Sequence, residues 1–148
     1  MAKKDSGFSA EEREAMKAAA ADKRTARSRA KKSPEEVRAE GEADLKAAIE
    51  KLSEEDRAIA EGLHALVSDA APDLIPRTYY GMPAWAKDGK VLCFFQPASK
   101  FKTRYGTFGF EQPANLDEGT LWPTAYAVLE LDDANRKFLA ERVRAAVS

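Results

Sequence analysis

The chain has 148 residues, enough for one domain with its own core. Its 24 Lys and Arg balance 25 Asp and Glu, a formal net charge of −1, which argues against a whole-molecule electrostatic partner such as duplex DNA and leaves only local patches open. One cysteine allows no intrachain disulfide and no cysteine zinc cluster, no run reaches membrane-spanning length, and MAKKDSGFSAEE lacks the apolar core of a secretory signal, so a reducing cytoplasm is the expected setting.

Ser9-Ala10-Glu11-Glu12 has the capping-box pattern, a hydroxyl at N-cap and a carboxylate at N3. The residues behind it are good helix formers, but Met16 is the only large apolar side chain from Ala10 to Lys32. A helix with almost no apolar face gains little from packing, which predicts loose docking or projection into solvent. Lys23 to Lys32, KRTARSRAKK, holds six basic residues and no acid. It reads either as a contact for nucleic acid or another polyanion, or as a solvated helix end.

Ser33-Pro34-Glu35-Glu36 starts a second helix, with Val37, Gly41, Leu45, Ala48, Ile49 and Leu52 at helical spacing. Ser53-Glu54-Glu55-Asp56 starts a third, whose stripe is Ile59, Leu63, Leu66, Val67 and Ala70, with Pro72 beyond it. His64 lies beside that stripe with no second histidine to join it, so a packed or surface imidazole is expected rather than a catalyst or ligand.

Tyr79 to Phe110 holds nine of the thirteen aromatic residues and organises the rest. Tyr79-Tyr80 opens a sheet, Gly81-Met82-Pro83 makes a bend, and Asp88-Gly89 suits a two-residue type I′ turn between paired strands. Val91 to Phe95 is an unbroken apolar run, read as a covered strand that Pro97 ends. Lys100 to Tyr105 alternates basic with aromatic or Thr, which predicts an extended segment with one basic face. In RYGTFGF, Gly106 and Gly109 leave room for neighbouring rings. Glu111 to Gly119 reads as a loop, Thr120 to Trp122 and Tyr126 to Leu131 as short strands, and Asp132 as the cap of a final helix carrying Phe138, Leu139, Val143, Ala146 and Val147. Helices, an antiparallel meander and a helix make an α+β fold. Residues 1–33 form a charged helical extension and 34–148 the domain proper.

Tyr80-Gly81-Met82-Pro83-Ala84-Trp85, then Gly89 to Phe95, then Thr107-Phe108-Gly109-Phe110, resemble the YdhG-like domain, a small bacterial domain grouped by fold with frataxin-like iron chaperones and YjbR-like proteins. The resemblance runs from about Glu42 to Val147, with the segment before Pro34 an extension outside it. It implies an antiparallel sheet packed by helices on one side. It also implies an iron-chaperone role, with iron or an iron-accepting protein as partner.

Three function classes follow. An enzyme lacks support: there is one His, a Cys inside an apolar run, no phosphate-binding glycine loop and no metalloprotease pair. A transient Fe²⁺ carrier needs exposed oxygen ligands, and Glu50, Glu54, Glu55, Asp56 and Glu61 cluster at the start of the third helix, the alternative being a solvated helix start. A binding module for an anionic small molecule or single-stranded nucleic acid would use Tyr79, Tyr80, Trp85, Lys100, Lys102, Arg104 and Tyr105, stacking rings beside phosphate-binding cations, although most of these rings also suit a core. A protein–protein role is the remaining alternative.

Overall fold

A computed structural model describes residues 7–148 of the chain. The first six residues of the extension, and with them the expectation about a leader, lie outside the described residues. Five helices and five strands follow in order: α1 (Ala10–Arg29), α2 (Pro34–Glu50), α3 (Glu54–Ala70), β1 (Ile75–Tyr79), β2 (Met82–Lys87), β3 (Lys90–Gln96), α4 (Ala98–Phe101), β4 (Gly106–Phe110), β5 (Ala125–Val128) and α5 (Asp133–Val147). The strands form one antiparallel meander, β1-β2-β3-β4-β5, so the fold is α+β as expected. Among the described residues no helix is long and apolar enough to cross a membrane.

Local chemistry sets the boundaries. Both capping boxes form: Ser9 with Glu12 opens α1, and Ser33 with Glu36 opens α2. Ser53 and Asp132 cap α3 and α5 through their side-chain oxygens. Asp88 and Gly89 sit at φ 52° and 79°, the positive values a type I′ turn requires. Tyr80 and Gly81 do the same at φ 53° and 80°. The expected bend is therefore a second tight hairpin turn, the sheet begins at Ile75, and Met82-Pro83 belongs to β2.

Cross-strand partners share a face. Trp85 pairs with Cys93, Cys93 with Phe110, and Phe95 with Phe108, and all five are buried in one core with Leu45, Ile49, Leu63 and Val143 from the helices. Between Trp85 and Ala86 the register slips, so that Leu92 is an extra residue in β3. Leu92 and Cys93 then both enter the core, which explains the uninterrupted apolar run. On the opposite face the Phe94 ring lies over Gly109, where an added Cβ would sit 2.5 Å from the ring. Burial drives the Cys93 thiol pKa upward, as suits a small packed hydrophobe.

Two expectations need correction, and a third is decided between its alternatives. Lys100 to Tyr105 is not a strand. Ala98 to Phe101 form the single turn of α4, whose Ser99 N–H donates to the buried carboxylate of Asp56 at 2.9 Å, and Lys102 ends it at φ 58°. A capping contact from 43 residues away overrides the local alternation. Thr120 to Trp122 pair with no strand, and β5 stops at Val128. For α1, the loose-docking alternative holds and projection does not. It lies against β1 and α4 although none of its residues is buried.

Polar contacts hold α1 along its length. Lys102 Nζ reaches Glu11 Oε2 at 2.7 Å near one end. In the middle, Asp22 accepts from Thr78 Oγ1 at 2.9 Å and from the Tyr80 N–H at 3.1 Å. At the other end Arg29 pairs with Glu40 and Asp44, and Lys32 with Glu40. Small side chains on the underside leave space rather than filling it.

Candidate functional site: a cleft beneath the first helix

That space is a cleft of about 700 Å³, within the range of small-molecule sites. Ala15 and Ala18 of α1 roof it. Ala47, Ala48, Lys51 and Leu52 at the α2–α3 junction form one wall, and Tyr80, Gly81, Ser99 and Lys100 the other. The geometry follows from three junctions meeting: the end of α2, the Tyr80-Gly81 turn and α4. Asp56 fixes the last of these, because its carboxylate holds Ser99 while Ser53 Oγ holds its own N–H.

The cleft carries two cations that form no contact ion pair among the described residues. Among the described residues neither Lys51 nor Lys100 makes an ion pair, and Lys100 Nζ donates only to the Gly81 carbonyl, at 3.0 Å. Desolvation pushes the Lys100 pKa below its ordinary value; the charge of Glu14 opposes this and that of Lys51 adds to it. Hydroxyls surround the pair: Ser53 and Ser99 lie 3.4 Å apart, and Tyr80 is exposed at the mouth. The first turn of α3 begins here, and its free N–H groups favour negative charge. Two acids also line the cleft, but Asp44 is neutralised by Arg29.

The proposed ligand residues do not share one face. Tyr80 and Lys100 meet in the cleft. Trp85 is only 1% exposed and belongs to the core. Tyr79 lies on the other sheet face beside Phe94, donating its hydroxyl to Glu111 at 2.8 Å; burial and that carboxylate push its pKa up to about 12. Lys102 is committed to Glu11. Arg104 stacks on Tyr105 at 5.1 Å, and both border a separate depression with Glu130, Asp132 and Asn135. Sequence reasoning missed Lys51, Ser53 and Ser99, since a lysine at a helix end and two capping-type serines carry no signal of a shared wall.

The acidic set fares differently. Glu50, Glu54, Glu55 and Glu61 are exposed, as expected, but Asp56 is 4% exposed and caps α4. Among the described residues no group of three or more His, Cys, Asp or Glu is placed to hold a metal ion. Asp56 thus carries a structural duty, and among the described residues the five carboxylates form no metal-holding group.

His64 is a packing partner. Trp85 Nε1 can only donate, and it reaches His64 Nδ1 at 3.2 Å, so the imidazole proton belongs on Nε2, which faces Glu42 Oε2 at 3.8 Å. Desolvation lowers its pKa below the ordinary 6.5, with Glu42 opposing and Lys46 assisting. A group with a depressed folded-state pKa contributes stability that is whole above 6.5 and drains away as the pH falls below it, because the unfolded chain takes up the proton first. Melting curves from about pH 7 down to about pH 5 should therefore show wild type losing stability relative to His64→Gln, whose amide oxygen still accepts from Trp85. A difference that stays flat across that range would contradict this bond.

No protein-family model, curated protein or solved structure matches the chain.

Proposed function

We propose that this chain is a YdhG-like cytoplasmic binding module for a small anionic molecule held in the cleft beneath α1. The observation that supports it is the pair of lysines, Lys51 and Lys100, that line one open cleft with no ion pair among the described residues, Glu14 being the one acid there left to oppose an anion. A phosphate or carboxylate group there would gain two charge-assisted contacts, hydroxyl donors from Ser99 and Tyr80, and the start of α3. The iron reading has no comparable assembly, since its carboxylates are dispersed and one is buried in a cap.

Binding to the folded state alone raises stability, by about 2.7 kcal/mol at a hundredfold excess over Kd. Inorganic phosphate, pyrophosphate and citrate are suitable probes in thermal melts. At least one should raise the Tm of wild type, and Lys51→Gln and Lys100→Gln should each reduce that rise. Lys51→Gln is the cleaner variant, because Lys51 has no side-chain hydrogen bond among the described residues to lose. Equal shifts in wild type and Lys51→Gln would place anion binding elsewhere.

A further inference from the structure

We propose that the outer face of α1 is a sequence-independent contact for nucleic-acid phosphates. The helix has two faces of different character. At about 100° per residue, Glu11, Ala15, Ala18, Asp22, Thr25 and Arg29 fall on one side. That is the side that borders the clefts or reaches the body. Lys17, Lys23, Arg24 and Arg27 fall within an arc of about 120° centred opposite, and Lys31 continues it just past the last turn.

Those five side chains are exposed, and none makes an ion pair or side-chain hydrogen bond among the described residues. No acid of α1 shares their arc: Glu11 and Asp22 turn inward, Glu12 closes the capping box, and Glu14 lines the cleft. The basic run is thus sorted by the fold. Arg29 and Lys32 are used internally on Glu40 and Asp44, and the rest are left outside with no carboxylate to neutralise them.

The stripe runs roughly 21 Å from Lys17 to Lys31 at about 1.5 Å per residue, a length matching about six nucleotide steps along a duplex. Phosphates are its best complement. A bilayer would require a large apolar face next to the basic one, and here the opposite face is small and polar and docked on the body. The helix has no Asn or Gln, leaving Lys and Arg to meet the backbone without reading an adenine edge. With a net charge of −1 the molecule as a whole does not attract a polyanion, so attraction falls to local basic patches such as this one. The surface lies across α1 from the cleft and stands independently of it.

The test is fluorescence anisotropy of the full-length chain with a labelled oligonucleotide, single-stranded and duplex, and with phosphatidylserine vesicles in a parallel arm. Wild type should bind the oligonucleotide, losing about a hundredfold in affinity between about 50 and 200 mM salt if four phosphates are neutralised. Lys23→Gln/Arg24→Gln/Arg27→Gln/Lys31→Gln should weaken binding at least about tenfold with an unchanged melting curve, since these side chains have no partners among the described residues to lose. Arg104→Gln, an exposed cation elsewhere, should bind as wild type does. No binding by wild type, equal binding by the quadruple variant, an equal loss in Arg104→Gln, or binding to vesicles alone would each overturn the proposal.

Discussion

Trp85→Ala should cost about 3–5 kcal/mol of stability, read as a fall in the urea midpoint. The indole is almost fully enclosed and meets Phe108 edge-on with ring centroids 6.3 Å apart. Truncation leaves a cavity in the core and removes the N–H donated to His64 Nδ1. Trp85→Phe should cost less, because a ring still fills most of the space. A loss under about 1 kcal/mol for the alanine variant would mean that this position is not the centre of the core. Reduced ligand binding in a Trp85 variant would follow from lost folding, not from a lost contact.

Gly41→Ala should destabilise by about 2 kcal/mol or more, against the usual direction for such a change in a helix. In an open helix, alanine in place of glycine stabilises by up to about 1 kcal/mol. Here an added methyl would overlap the backbone carbonyl of Pro76, where α2 crosses β1. Neither backbone can step aside as a flexible side chain could, so α2 must lift from the sheet. The same helix supplies Asp44, Ala47 and Ala48 to the cleft, and Lys51 follows it, so anion binding should weaken in parallel. A stabilised Gly41→Ala protein would contradict the packing of α2 on β1.

Features written within a few residues were legible. The serine and aspartate caps, the Asp88-Gly89 turn and the small residues beneath the Phe94 and Phe95 rings all reappear. Features set by distant contacts were not. The alternation from Lys100 to Tyr105 gave way to a helical turn because Asp56, far back in the chain, caps it. Docking of α1 depends on Asp22 meeting Thr78 and Tyr80, 56 and 58 residues away, and an apolar-stripe argument is blind to such polar attachment. The site was half-visible for the same reason. Tyr80 and Lys100 stand in the aromatic and basic stretch, whereas Lys51 joins them only once the α2–α3 junction is folded beside it.

The central claim, that the cleft beneath α1 holds a small anion, is tested most directly by following backbone amide NMR signals during titration with pyrophosphate. The account predicts shifts concentrated on Ser53, Thr78, Tyr80, Gly81, Ser99 and Lys100, and their loss in Lys51→Gln/Lys100→Gln. Shifts confined to other parts of the surface, shifts that persist unchanged in the double variant, or no shifts with any of the three anions would contradict it.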